Sequence, residues 1–140
     1  MRASEFLTKA AGLGDAAAHF NLSVMYREGK GVEKDAQKEF YHTEEAAIGG
    51  HPTARYNLGA FEWNNGRLDR AVKHLIIAAK LGDDDSVEML KQGYKEGSVS
   101  KEDFAAALRA HQAAVDATKS SQRDAAAEKA KVEPLHEKRW

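Results

Sequence analysis

The sequence predicts an all-α fold, a short solenoid of stacked antiparallel helix pairs. Three observations carry this. The first is a recurrence of Ala-Ala-x-x-Gly, at Ala10-Ala11 with Gly14, Ala46-Ala47 with Gly50, and Ala78-Ala79 with Gly82. Its offsets are 46 − 10 = 36 and 78 − 46 = 32. The second is that other positions keep those offsets: Ala18 maps to Ala54 and Ser86, Leu22 to Leu58 and Leu90, and Phe20-Asn21 to Tyr56-Asn57. A fixed period of this size marks a repeat array. The third is composition, rich in alanine with prolines only at 52 and 134, which favours helix and gives little support for strands.

Taken in order, residues 4–12 read as the second helix of a repeat, with Phe6, Leu7, Ala10 and Ala11 at helical spacing. The first full copy opens at Asp15, an N-cap residue, and its helix A runs to about Glu28. Ala18, Leu22, Met25 and Tyr26 form its apolar stripe, and Gly29 and Gly31 end it. Helix B spans about Asp35–Ile48, with Ala36, Phe40, Ala46 and Ala47 apolar. Gly49 and Gly50 break it. Pro52 then suits a first helical turn, where its missing N–H has no intrahelical partner. Helix A of the second copy covers about Pro52–Trp63. Its helix B covers about Leu68–Leu81, with Leu68, Ala71, Val72, Leu75, Ile76 and Ala79 apolar.

The difference of four residues between the two periods falls in the A–B loop. Gly29 to Asp35 becomes the shorter Asn64-Asn65-Gly66-Arg67. Closure entropy changes slowly with loop length, so the repeat tolerates this deletion. The third copy starts near Asp83–Ser86, carries Val87, Met89, Leu90 and Tyr94, and closes at Gly97. Ser100 is expected to cap the last helix, with acidic residues in its first turn to suit the helix dipole. Phe104, Leu108, His111 and Val115 are expected on its packed face. Beyond about Thr118 large apolar residues become sparse. Ser120 to Arg139 reads as a solvated helical extension, interrupted at Pro134 and fraying to a disordered end. The expected organisation is therefore a repeat array over 1–118 (a partial repeat 1–14, then repeats 15–50, 51–82 and 83–118) and a charged helical or disordered tail over 119–140.

These residues resemble the Sel-1-like repeat, a relative of the tetratricopeptide repeat. Ala18, Leu22, Tyr26, Gly29, Gly31, Val32 and Asp35 match its motif in the first copy; Ala54, Leu58, Gly59 and Gly66 match in the second. The first copy departs at Ser23, where the family prefers glycine, and at Glu39, where it prefers alanine. The resemblance covers about residues 5–97. It implies a right-handed, tetratricopeptide-like superhelix, and a role as adaptor or scaffold, since known members are mostly that. It also implies that the A helices line the concave surface.

Composition bounds the function. The chain has 140 residues, no cysteine and a net charge of −1. Thiol catalysis and zinc–thiolate sites are excluded. A basic face of the kind that binds nucleic acid is not evident. No run reaches the roughly 18 apolar residues of a membrane span, and the N-terminus lacks the apolar core of a secretory signal. A cytoplasmic protein with no nucleic-acid or membrane partner is expected.

Six histidines invite a metal or acid–base reading. His42 and His74 hold equivalent places in successive B helices, where stacking could bring them together, but recurrence of the repeat alone accounts for them. No closely spaced ligand pair exists. Asp83-Asp84-Asp85 lacks calcium-loop spacing and sits at a helix start, where capping explains it. Gly29-Lys30-Gly31 is a repeat turn without the Walker pattern. No catalytic residue, cofactor or metal is expected. The candidate partner-binding residues are Asn21, Arg55, Tyr56, Asn57 and Tyr94 on the A helices: amides can bind a peptide backbone and aromatic rings can anchor side chains. The expected function is a non-catalytic module that holds a protein or peptide on that face. The alternative is a small structural protein that self-associates weakly through its N-terminal edge.

Overall fold

A computed structural model describes residues 2–137. Among them there are seven helices and no strands: α1 (Ala3–Gly12), α2 (Ala16–Glu28), α3 (Ala36–Ile48), α4 (Pro52–Asn64), α5 (Leu68–Lys80), α6 (Asp84–Lys95) and α7 (Lys101–Glu137). Successive helices pack on one another throughout, and α5 also packs on α7. The pairs α2/α3, α4/α5 and α6/α7 are the three hairpins, with α1 laid against α2.

Caps and turns follow the sequence. Asp15 and Asp83 each accept from the backbone N–H three residues on, and Ser100 does the same for α7. Gly29 adopts a left-handed φ of 72° and its N–H donates to the Met25 carbonyl, closing α2. A residue with a side chain would be strained there.

The core consists of three clusters strung along the array. Ala11, Ala18 and Leu22 join α1 to α2. Ala46, Ala47, Ala54 and Leu58 join α3 to α4, with Phe20 and Phe40 against them. Val72, Leu75, Ala79, Leu90, Val99 and Ala107 form the third, over α4 to α7. The alanines are essentially inaccessible. With no atom beyond Cβ they let helix axes approach to the near end of the roughly 8–10 Å range.

Two expectations are corrected. Leu108 does not lie on the packed face of α7. It is exposed, and the neighbouring Ala107 takes the buried place against the cluster that includes Val72, Leu75 and Ala79 of α5. Pro134 does not interrupt α7, whose backbone is helical through Glu137. The hydrogen bond a proline forfeits is the one to residue 130, which is solvent-exposed, so water can serve that carbonyl. Lys138, Arg139 and Trp140 lie outside the described residues, so the expected fray there is not addressed.

Candidate functional site

A groove of about 180 Å³ opens where the first hairpin meets the second. Phe40 and Thr43 of α3 and Leu58 of α4 line it, together with Ala36 and Phe61. The Phe40 and Phe61 rings meet at 5.1 Å between centroids. Phe61 nonetheless stays 43% exposed, a large apolar side chain left facing water. At the rim, Arg27 of α2 donates to Glu39 of α3 at 2.8 Å. Asn57 completes the lining. The groove thus has an apolar interior, two neutralised charges and one amide.

Its position follows from the repeat. α3 presents residues 36, 40, 43 and 47 at helical spacing toward α4. The B-to-A turn at Gly49 and Gly50 lets the chain double back, so that α4 brings Leu58 and Phe61 alongside. Phe20 of α2 stacks on His51 at the head of α4, with centroids 4.2 Å apart.

The five residues expected from sequence do not share one surface. Arg55, Tyr56 and Asn57 are consecutive, and a helix turns about 100° per residue. Arg55 points into the hairpin seam, where Nη2 donates to the Ala47 carbonyl at 3.1 Å and Nη1 lies 3.3 Å from His74 Nδ1. Tyr56 packs against the C-terminal core cluster. Burial, with Asp85 and Asp83 nearby, raises its phenol above the usual range. Asn57 alone of the three lines the groove. Asn21 is exposed on α2. Tyr94 stacks on Phe104 of α7 at 5.3 Å and belongs to the third hairpin. Arg27 and Phe61 were not singled out from sequence. Phe61 corresponds in register to Met25 and Gly93, so no recurring residue type marks it.

His42 and His74 do not meet. Each instead contacts the equivalent residue of its own A helix. His42 Nδ1 is 2.9 Å from His19 Nδ1, and His74 receives Arg55, which is His19 moved on by 36. Burial is the largest influence on both and lowers their basicity; His19 beside His42, and Arg55 beside His74, act the same way. Tyr26 stacks on His42. Its register equivalent is Glu62, a buried carboxylate paired with Arg67. No group of three or more potential metal ligands occurs among the described residues, and none of them forms a helix long and apolar enough to cross a membrane.

Consecutive helical hairpins, glycine turns and alanine seams define a helical-repeat solenoid. No family model matches the sequence, and no curated protein matches it. Solved structures do. A Sel1 repeat protein from Oxalobacter formigenes is 28% identical, with a TM-score of 0.64 over 83% of this chain and 99% of that one. The protein c5321, a protective antigen present in uropathogenic Escherichia coli strains and displaying an SLR fold, is also 28% identical. It has a TM-score of 0.61, over 80% of this chain and 25% of that one. In both fold and sequence the chain is similar to these Sel1-like repeat proteins.

Proposed function

We propose that the chain is a non-catalytic interaction module that holds a peptide or an extended protein segment in the groove between α2, α3 and α4. The observation that carries this is Phe61, an exposed aromatic wall beside an apolar hollow, on a helix whose other large apolar side chains, Tyr56, Leu58 and Trp63, are buried or partly buried in the core clusters. A hollow of about 180 Å³ is smaller than the roughly 300–1,000 Å³ of small-molecule sites. It suits one bulky apolar side chain of a larger partner. Among the described residues no side chain hydrogen-bonds Asn57, which leaves its amide for a partner's backbone. Interfaces of this kind concentrate their energy in a few buried aromatic anchors. Asn21, Arg55, Tyr56 and Tyr94 then act on the scaffold or on other surfaces, and Asn57 with Phe61 makes the contact.

Selection from a displayed peptide library tests this. Bound peptides should share a bulky apolar residue, and Phe61→Ala should weaken them by at least tenfold, roughly the 1.4 kcal/mol or more expected of an anchor. Asn57→Ala should weaken them less, and Asn21→Ala should not. Equal binding by Phe61→Ala and the parent chain would place the binding face elsewhere. A second reading, self-association, has its own observation: Phe6 is 64% and Leu13 90% exposed at the N-terminal end of the array. A mass that rises with concentration in light scattering, and falls back in Phe6→Ser, would favour that reading.

A further inference from the structure

The N-cap position of the A helix recurs through the array as Asp15, His51 and Asp83, at 15 + 36 = 51 and 51 + 32 = 83. All three side chains do the same work. Asp15 accepts from Ala18 N–H at 3.2 Å, His51 Nδ1 from Ala54 N–H at 3.2 Å, and Asp83 from Ser86 N–H at 2.8 Å. The chemistry differs at the middle cap. A carboxylate accepts down to about pH 4, whereas an imidazole loses its acceptor once protonated, near pH 6.5 unless shifted.

The same dependence recurs within the hairpin that this cap begins. His74 Nδ1 faces the Arg55 guanidinium, which can only donate, so this contact requires a bare imidazole nitrogen. The Nδ1–Nδ1 contact of His19 and His42 holds one proton between two nitrogens; an imidazolium can still donate to a neutral partner there, so the contact is lost only when both rings are cations. Two acceptor contacts, the cap at the head of α4 and the Arg55–His74 contact between α4 and α5, are therefore incompatible with an imidazolium. The groups around them are mixed. Glu45 favours a proton on His42, while Lys38 on the same helix and His19 across the hairpin oppose it. Glu62 favours a proton on His74 and Arg55 opposes it. His51 is disfavoured as a cation by burial, in its stack on Phe20. The third hairpin is built otherwise. There His111 Nε2 meets Asp84 at 2.6 Å, a contact that a proton strengthens.

We propose that the second hairpin forms an acid-released joint: in mild acid, protonation of His51 and His74 uncaps α4 and loosens its packing on α5, while α6 and the packed part of α7 stay closed. The groove shares α4 with this joint, so its shape follows the same protons. The device does not depend on any partner being bound there.

The test is amide hydrogen exchange on the full chain at pH 7.5 and pH 5.5, corrected for intrinsic exchange rates. Protection should fall several-fold in α4 and α5, because their histidines bind protons more readily in the opened state than in the closed one. Protection in α6 and residues 101–116 should change little. His51→Asp gives α4 the cap of its neighbours and should abolish the acid response of its first turn. His74→Gln keeps an acceptor for Arg55 and should reduce the response in α5. Uniform loss across all helices, or an unchanged acid response of α4 in His51→Asp, would overturn the proposal. If His74→Gln does not fold, His51→Asp decides alone. The readout needs no ligand, so it stands or falls separately from the groove.

Discussion

Gly59 shows how closely the helices approach. A Cβ added there would lie 2.8 Å from Leu75 Cδ2 and 2.9 Å from its Cγ. Leu75 is wholly buried, with no room to yield. Gly59→Ala gains up to about 1 kcal/mol of helix propensity, but overpacking a closed core costs about 1–3 kcal/mol. Net destabilisation is therefore expected, read as a lower urea midpoint. Gly12 is also in a helix, but a methyl group added there would meet nothing within 4 Å, so Gly12→Ala should leave the midpoint unchanged or raise it. Equal effects of the two would contradict the close crossing of α4 and α5. The same register position in the first copy is Ser23, where the family motif prefers glycine. Its buried hydroxyl donates to the Phe20 carbonyl at 2.6 Å, which is how a polar atom is accommodated there.

At the scale of the element, caps do what apolar stripes cannot: they fix where each helix starts. Asp83 Oδ2 takes both the N–H and the hydroxyl of Ser86, at 2.8 and 2.6 Å. Ser86 is completely buried. Asp83→Ala therefore removes a cap and strands a hydroxyl, a loss of about 2 kcal/mol. The expected outcome is a lower thermal midpoint, with Asp83→Asn recovering most of it. Exposed Asp84 and Asp85 should tolerate alanine much better. This element was legible in sequence because capping uses a residue type at a fixed place. The helices themselves were legible because small and large apolar residues repeat with both the helical and the array period. The groove was only partly so. Asn57 recurs from Asn21 and could be picked out, while Arg55 and Tyr56 precede it on neighbouring faces that a linear pattern does not separate. Phe61 and the inward place of Ala107 depend on how two helices cross, and no local period encodes that. The histidine contacts were missed for a related reason. His42 and His74 recur between copies, but each finds its partner across its own hairpin, from a position where the residue type changes from histidine to arginine.

For the whole molecule, what matters is that stability is passed from neighbour to neighbour, as stacked repeats require. The three core clusters are unequal, and the largest lies at the C-terminal end, where Tyr56, Trp63, Ile76, Val87, Met89 and Phe104 pack around its buried residues. Helix α7 closes this cluster with its first turns and then runs on exposed through residue 131. At about 1.5 Å per residue its 37 residues reach roughly 55 Å. Residues 116–131 are all exposed, and the side-chain hydrogen bonds from Gln112 to Asp116, Thr118 to Ala114 and Lys131 to Glu128 all run within the helix. Helices of this length without tertiary contacts are marginal in water, even when rich in alanine. We therefore expect the array to end energetically near residue 118. A chain stopped after Thr118 should unfold within about 2 °C of the full chain, less than the shift that a loss of 1 kcal/mol produces in a domain of this size. Its helical circular dichroism should fall by the contribution of the removed turns alone. Amides beyond residue 118 in the full chain should exchange far faster than those of α5. A midpoint lowered by many degrees on truncation would mean that the arm packs back onto the hairpins, and the boundary would then have to move to the end of α7.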